Sequence, residues 1–244
     1  MNIAMILAGG VGSRLGGDIP KQFIEVCGRP VLAYTVEAFD KHPDIDEILV
    51  VSLGTYIDHV WDMKEKYSFT KLKWVTEGGD TFQASVMKGI DFLRDKISRD
   101  DTVLIHFGAS PFVTGEIISD AIRVCGINGT NAISTTDYYL LAGVKHSTSP
   151  VSDPENHSDE YINRDTIAVM NTPHAFRYGF VDDLYREGME TGMTDKVEPH
   201  TTTLMYALGK RIFFSKGSQT NIKITTREDL EFFENYIRGK GSKV

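Results

Sequence analysis

The densest group of residues that could bind a phosphorylated ligand lies at the beginning of this 244-residue sequence. Residues 7–16 read LAGGVGSRLG, and residues 20–23 read PKQF. Glycines let the backbone turn with positive φ, so that its N–H groups can approach phosphate oxygens. Arg14 and Lys21 add the positive charge that a triphosphate and its attacked α-phosphorus require. The pattern favours a triphosphate site over its simpler interpretation, a glycine-rich turn with two solvated cations.

The segments around this loop alternate between two patterns. Short apolar runs bounded by turn residues alternate with longer amphipathic stretches, which is typical of parallel strands covered by helices on both faces. The predicted strands are 2–7, 47–52, 73–76, 102–106, 132–135 and 211–216. The predicted helices are 31–41, 56–67, 81–96, 117–124, 179–192 and 226–236, the last with Thr225 or Thr226 as N-cap. The order predicts an α/β protein with a Rossmann-like sheet.

One long segment breaks the alternation. Residues 145–159 are rich in Ser, Pro, Asp and His and show no sustained period. Such a stretch is uncommon inside a compact domain unless it serves a function or a partner. We therefore predict a loop or an extended arm here.

Composition and charge exclude several classes of protein. The net charge of −8 disfavours a nucleic-acid partner, because binding a phosphate backbone requires a broad basic face. No apolar run reaches the roughly 18 residues of a membrane helix, and the N-terminus lacks the basic region of a signal peptide. Cys27 and Cys125 have no metal-type spacing. We expect them to be small, reduced core residues of a cytoplasmic protein.

Further motifs follow the glycine loop in a fixed order. Residues 76–80 read TEGGD with Ser85 shortly after, 163–165 read NRD, 171–176 read NTPHAF, and 221–225 read NIKIT before EDL at 228–230. Together with the glycine loop and PKQ, these segments resemble the cytidylyltransferases that act on methylerythritol 4-phosphate and ribitol 5-phosphate. This family belongs to the sugar-nucleotide pyrophosphorylase superfamily. The resemblance covers nearly the whole chain.

The resemblance implies both a fold and an activity. The fold would be a mixed, mostly parallel Rossmann-like sheet with helices on both faces, in a single nucleotidyltransferase domain (1–244) with a dimerisation arm at about 137–165. The activity would be transfer of CMP from CTP to a small phosphorylated polyol or sugar with release of pyrophosphate, as in isoprenoid or cell-wall polysaccharide biosynthesis. Mg²⁺ would be carried by CTP. The protein would be a cytoplasmic homodimer that binds neither nucleic acid nor membrane.

The resemblance also assigns roles to individual residues of this sequence. Arg14, Lys21 and Lys223 would stabilise phosphate charge during the transfer, so that no protein nucleophile is needed. Arg164 and Thr172 would bind the acceptor substrate. The nucleotide would be bound by Leu7, Ala8, Gly9, Gly10, Gly12, Ser13, Gly79, Asp80 and Ser85.

The chain departs from the family's pattern around the metal and the acceptor. Where the family has HDxxRP, residues 106–111 read HFGASP, so Phe107 replaces the metal-binding aspartate and Ser110 the arginine. Phe82 stands in place of a second arginine, and residues 137–138 read DY instead of DT. A phenylalanine cannot hold Mg²⁺, which prefers oxygen ligands. The metal ligands therefore stay unassigned, and we expect His106 to be a hydrogen-bonded structural residue rather than a base.

Three functions remain open from the sequence. The first is an active cytidylyltransferase with an altered acceptor or metal site. The second is a catalytically impaired homologue that binds a nucleotide or a partner subunit. The third is a sugar-1-phosphate nucleotidyltransferase that uses another base, which PKQ and NIKIT disfavour.

Overall fold

A computed structural model describes residues 1–10 and 19–241. Three one-turn 3-10 helices, Lys21–Phe23, Gly54–Tyr56 and Arg164–Thr166, accompany the longer elements. In chain order the strands and α-helices are β1 (Asn2–Ala8), β2 (Glu25–Val26), β3 (Arg29–Pro30), α1 (Val31–Asp40), β4 (Glu47–Ser52), α2 (Ile57–Tyr67), β5 (Leu72–Glu77), α3 (Phe82–Leu93), β6 (Thr102–Phe107), α4 (Gly115–Asn128), β7 (Asn131–Asp137), β8 (Ala142–Gly143), β9 (Tyr161–Ile162), β10 (Ala168–Arg177), α5 (Tyr178–Glu190), α6 (Thr201–Ala207), β11 (Phe214–Lys216) and α7 (Arg227–Gly241).

Seven strands form one sheet in the order β11-β7-β10-β6-β1-β4-β5. The pairs β1–β4, β1–β6, β4–β5 and β7–β11 are parallel. Within the described part of this sheet, β10 alone runs antiparallel to its neighbours, which are β6 and β7. The chain builds outward from β1 through β4 to β5 and then returns to place β6 on the other side of β1. This reversal creates a crevice at the carboxyl ends of β1 and β6, where open α/β sheets bind ligands.

Alternation along β1 divides the apolar core between the two faces of the sheet. Ala4 and Ile6 pack with residues of α1, α2 and α4, whereas Ile3, Met5 and Leu7 pack with α3, α5 and α6. Burying one such Ile, Leu or Met side chain stabilises the fold by about 1.5–3 kcal/mol. The central strand therefore holds both helical layers in place.

The predicted fold class and the order of the predicted elements are confirmed, and several details are corrected. The strand expected at 211–216 includes only Phe214–Lys216. The antiparallel strand β10, the two-residue strands β2, β3, β8 and β9, and the helix α6 were not predicted. Cys125 is buried as expected, but Cys27 is exposed because it occupies the turn between β2 and β3 with φ of 51°.

Of the two N-cap candidates for α7, Thr226 caps the helix, since its Oγ1 accepts a hydrogen bond from the Asp229 N–H at 3.3 Å.

The segment between β7 and β10 contains two short strands. β8 and β9 form a two-stranded antiparallel ladder, and most of the remaining residues are irregular. Its exposed large apolar side chains are Tyr139, Leu140, Leu141, Val151, Tyr161 and Ile162. Within residues 1–10 and 19–241, no helix has the length and apolar character needed to cross a bilayer.

We predict that Gly89→Ala destabilises the protein. A Cβ atom at Gly89 of α3 would lie 2.3 Å from Met5 Sδ and 3.0 Å from Val51 Cγ2, both in the core. Overpacking of this kind lowers the free energy of unfolding by about 1–3 kcal/mol, which urea denaturation measures. Gly126→Ala in α4 is the control, because its Cβ would meet only Arg177 Nη2 at 4.0 Å. It should gain up to about 1 kcal/mol from helix propensity. Equal effects of the two substitutions would contradict the packing described here.

Candidate active site

A cavity of about 390 Å³ opens at the carboxyl ends of β1 and β6. It lies at the point where the strand order reverses, and three walls surround it. The first wall comes from the end of β1 and the 3-10 turn after it, the second from the turn before α3, and the third from β6 with the loop before α7. The lining residues are Leu7, Gly9, Gly10, Lys21, Gln22, Leu53, Gly79, Asp80, Thr81, Phe82, Ser85, Phe107, Ala109, Lys223 and Thr225.

Gln22 fixes the first wall. Its side chain is 2% exposed, and its Nε2 donates hydrogen bonds to the carbonyls of Ala8 at 2.6 Å and Gly10 at 2.9 Å. These bonds satisfy backbone groups that leave the sheet at the end of β1. The same turn carries Lys21 to the cavity. Gln22 thus couples the position of the glycine segment to the position of a lysine beside it.

Close packing at Gly79 shapes the second wall. The Ser85 hydroxyl accepts a hydrogen bond from the Gly79 N–H and donates one to the Gly79 carbonyl, both at 3.1 Å. A Cβ at Gly79 would lie 2.5 Å from the Ala84 Cβ, so that only glycine fits this turn without rearrangement. Thr81 caps α3 by accepting from the Ala84 N–H at 3.0 Å. The positive end of the α3 dipole therefore faces the cavity, where it favours an anion.

The third wall is anchored at both ends. The Ile224 N–H donates to the Ala109 carbonyl at 2.8 Å, and Asn221 Nδ2 donates to the Thr172 carbonyl at 2.6 Å. These bonds fasten the loop that carries Lys223 to the segments after β6 and within β10. The loop itself contributes Lys223 and Thr225 to the cavity.

Asp229 joins this loop to α7 and to Lys21. Its Oδ2 accepts hydrogen bonds from the N–H groups of Thr225 and Thr226, each at 2.9 Å. Burial raises the pKa of Asp229, but these hydrogen bonds and the nearby charge of Lys21 outweigh it and hold the pKa below its usual value. The carboxylate therefore remains charged near neutral pH and stabilises the two sides of the cavity together.

An aromatic cluster occupies the position where the family's pattern has a metal-binding aspartate. The Lys223 ammonium lies 3.5 Å from the centroid of the Phe107 ring. The Phe82 ring lies 5.3 Å from the Phe107 ring and 5.1 Å from the His200 ring. This wall presents an apolar surface and a cation.

A divalent metal does not fit against the Phe107 wall, because Mg²⁺ requires oxygen ligands and is repelled by the neighbouring ammonium. Asp80 is the only carboxylate among the described residues that line the cavity. The described part of the chain also contains no group of three or more His, Cys, Asp or Glu side chains arranged to hold a metal.

Two buried histidines lie next to the site. His106 is fully buried, its Nε2 donates to the Ser110 carbonyl at 2.9 Å, and burial lowers its pKa to about 4 despite that bond. Burial, with the nearby His106 and His200, lowers the pKa of His174 to about 3. Both are neutral near pH 7. The structural role expected for His106 is confirmed.

The structure brings most of the predicted site residues together. Leu7, Gly9, Gly10, Lys21, Gly79, Asp80, Ser85 and Lys223 line the cavity. Ala8 contributes its carbonyl to the bond with Gln22. Gly12, Ser13 and Arg14 lie within 11–18, outside the described residues.

The two predicted acceptor-binding residues do not line this cavity. Arg164 is exposed at the end of the arm, where its Nη1 donates to the Tyr139 carbonyl at 3.0 Å. Thr172 is 4% exposed, and its carbonyl accepts the hydrogen bond from Asn221. Gln22 and Asp229 belong to the motifs PKQ and EDL, but their hydrogen bonds to the backbone beside the two lysines were not predicted from the sequence. His200, which no motif marks, was not predicted either.

The Rossmann-like sheet, the glycine-rich turns and the two lysines at the point of strand reversal define the class of protein. They describe an α/β protein built to bind a nucleotide phosphate group. Residues 2–239 match the family described as 2-C-methyl-D-erythritol 4-phosphate cytidylyltransferase, IspD. The chain therefore belongs to this family.

Individual relatives agree with the family match. The chain is 38% identical over 242 residues to the ribitol-5-phosphate cytidylyltransferase of Lacticaseibacillus paracasei, covering 98% of this chain and 99% of that protein. It is 34% identical over 237 residues to the 2-C-methyl-D-erythritol 4-phosphate cytidylyltransferase of Clostridium tetani, covering 97% and 90%. The resemblance read from the motifs is thus confirmed, and the protein is a nucleotidyltransferase.

Solved structures agree on the fold. The 2-C-methyl-D-erythritol 4-phosphate cytidylyltransferase of Francisella tularensis superposes with a TM-score of 0.75 at 26% identity, covering 96% of this chain and 98% of that one. The 4-diphosphocytidyl-2C-methyl-D-erythritol synthase from Anaerococcus prevotii gives a TM-score of 0.77 at 24% identity, covering 97% and 96%.

We predict that His106 makes the protein lose stability in mild acid. Its folded pKa of about 4 lies below the unfolded value of 6.5, so the unfolded state alone takes up a proton between these values. The contribution of neutral His106 to the free energy of unfolding should be fully present above pH 6.5 and should be lost as the pH drops toward 4. His106→Gln keeps an amide donor for the Ser110 carbonyl but does not titrate. Urea denaturation at pH 7 and pH 5 should show that the parent loses about 2 kcal/mol more than the variant. Equal losses would contradict the assignment.

Proposed function

We propose that this protein transfers the cytidylyl group of CTP to the phosphate of a small polyol phosphate, either ribitol 5-phosphate or 2-C-methyl-D-erythritol 4-phosphate. The observation that carries the proposal is the meeting of Lys21 and Lys223 with two glycine-rich turns in one cavity. The names of the relatives support a cytidylyl group and these two acceptors. Ribitol 5-phosphate is the first acceptor to test, since the ribitol relative is the more similar of the two described above.

The reaction requires no protein nucleophile. A phosphate oxygen of the acceptor attacks the α-phosphorus of CTP, the bond from that phosphorus to the bridging α–β oxygen breaks, and pyrophosphate leaves with the bond's electron pair. Negative charge increases on the leaving pyrophosphate during this step. Lys21 and Lys223 would stabilise it electrostatically, and Arg14 would join them as the motif resemblance implies.

The nucleotide would be held by backbone groups of the two glycine turns and by the positive end of α3. Leu7, Ala8, Gly9, Gly10, Gly12, Ser13, Gly79, Asp80 and Ser85 are the residues we assign to this role. Enzymes of this family use a divalent metal. We propose that Mg²⁺ enters with CTP as part of the substrate, which agrees with a cavity that offers Asp80 as its carboxylate.

The aromatic wall favours a second candidate function. Phe107 in place of a metal-binding carboxylate is also what a nucleotide-binding homologue without catalysis would carry. A pyrophosphate-release assay with CTP, Mg²⁺ or Mn²⁺ and a panel of polyol phosphates separates the two. Turnover with either named acceptor supports the transferase. CTP binding in calorimetry without turnover on the whole panel would support the non-catalytic function.

The two lysines provide the sharpest test of the site. We predict that Lys21→Ala and Lys223→Ala each lower kcat by about 10²–10³, which corresponds to the loss of one electrostatic contact of roughly 3 kcal/mol to the transition state. Lys41→Ala is the control, because Lys41 is exposed at the end of α1 and pairs with Glu37. It should keep the parent rate, and circular dichroism should show all three variants folded. Near-parental activity in either cavity variant would remove that lysine from the proposed site.

We further propose that the chain forms one nucleotidyltransferase domain with an arm at about 137–165, and that this arm pairs two copies into a homodimer. The large apolar side chains of the arm are exposed in the single chain, and an unpartnered surface of this kind is typical of an interface. Arg164 lies at the far end of the arm and does not line the cavity of its own chain. We therefore propose that Arg164 contacts the acceptor phosphate in the neighbouring subunit, with Thr172 contributing on the acceptor side.

Mixing inactive variants tests the action of Arg164 in trans. A mixed dimer of Lys21→Ala and Arg164→Ala subunits contains one site with both residues intact, so part of the activity should return after subunit exchange. A mixture of Lys21→Ala with Lys223→Ala is the control, because every site then lacks one lysine of its own chain. Light scattering gives the oligomeric state. A monomer, or a verified mixed dimer without recovered activity, would contradict the proposal.

A further inference from the structure

One contact in the cavity joins a residue that departs from the family's pattern to a residue that follows it. The Lys223 ammonium lies 3.5 Å from the centroid of the Phe107 ring, well inside the range of about 6 Å within which a cation is attracted to the face of an aromatic ring. The structure assigns to Phe107 the role of a positioning residue: its ring holds the Lys223 ammonium toward the triphosphate. This inference rests on the proposed function, because it concerns how the same site binds CTP.

Neighbouring residues hold Phe107 and the backbone of Lys223 in place. Phe107 is the last residue of β6, and the Phe82 ring supports its ring at 5.3 Å. The loop carrying Lys223 is fastened to the segment just after β6 by the Ile224 N–H bond to the Ala109 carbonyl at 2.8 Å. The strand end and the lysine backbone therefore keep a fixed separation. What is left to orient is the side chain of Lys223.

A lysine needs such a support more than other cations do. Its ammonium is a point charge on a flexible four-carbon stem, so that many rotamers compete with the one that reaches a phosphate. A ring face attracts the ammonium without neutralising it, whereas a carboxylate would form an ion pair and cancel much of its field. Phe107 thus orients the charge without neutralising it. The site gains an oriented cation at the position where an aspartate would have offered a metal ligand.

If Phe107 has a purely apolar role, a different result is expected. If the ring only fills space, then a side chain of the same shape with a weaker π-face will serve equally well. Fluorination of the ring withdraws electron density from its face and changes its volume little. A series of phenylalanines with one, two and three ring fluorines at position 107 therefore separates attraction from packing.

The experiment measures two quantities on each member of the series. Calorimetry gives the Kd of CTP, and the pyrophosphate-release assay gives kcat and KM with the best acceptor. We expect CTP affinity to fall stepwise with each fluorine, on the order of ten-fold across the series. Phe107→Trp should restore affinity to the parental value or above it because indole is the stronger ring, whereas Phe107→Leu should resemble the trifluorinated protein.

A matched control is available away from the cavity. The Lys96 ammonium lies 4.0 Å from the centroid of the ring of Phe92, a partly buried residue near the C-terminal end of α3 and outside the cavity. The same fluorinated series at position 92 weakens the same kind of contact and should leave Kd, kcat and KM unchanged. A comparable decline at both positions would overturn the inference, since it would show a general effect of fluorination.

NMR of ¹³C-lysine-labelled protein supplies a readout that is independent of activity. The Lys223 ε-methylene signal, assigned by its loss in Lys223→Met, should be shifted upfield by the ring current of Phe107 and should return to the ordinary lysine position in Phe107→Leu. An ordinary chemical shift of the Lys223 ε-methylene in the parent protein would overturn the inference. A Kd of CTP that stays constant across the fluorinated series would also overturn it. If no acceptor turns over, the proposed transfer fails alone, and the CTP affinities of the series still decide the role of Phe107.

Discussion

The parallel pairing of β1 with both β4 and β6 is the constraint on which the rest of the structure depends. Because β1 is paired on both sides from Asn2 or Ile3 onward, its apolar residues are buried on both faces. Helices α1 to α6 pack against the two faces of the sheet that β1 centres. The same pairing creates the reversal of strand order. The backbone leaves the sheet after Ala8 beside the end of β6, and a crevice forms there whatever the side chains are. The glycine segment and Lys21 then determine that this crevice suits a phosphate.

Local hydrogen bonds turn the crevice into a site with fixed positive charge. The protein carries a net charge of −8, so its anion site depends on where cations are held rather than on overall charge. Gln22 holds the first turn by two backbone carbonyls, and Asp229 holds the loop before α7 by two N–H groups. Neither side chain carries positive charge. Each acts by fixing the backbone next to a lysine, which limits the reorganisation needed when a triphosphate binds.

The sequence predicted the parts of the fold that depend on local pattern. Residues 48–51 are all apolar and lie between polar residues, and strand β4 was predicted with its observed ends at Glu47 and Ser52. Strand β10 was missed because its sequence, AVMNTPHAFR, mixes polar and apolar residues and contains Pro173, and its register shifts between Met170 and His174. The motifs marked the lysines and glycines of the site. They could not mark the contact between Phe107 and Lys223, which forms only when the end of β6 meets the loop before α7.

That contact changes what the departure at position 107 means. Considered alone, the loss of an aspartate removes a metal ligand and favours a loss of function. In the folded chain the same position touches the ammonium of a lysine that the family's C-terminal motif retains, and it is supported by Phe82, a second departure. Two substitutions that look independent in the sequence are therefore one aromatic wall. A wall that orients a cation is of use only where an anion binds, and so the departures themselves favour a phosphate site that is still in use.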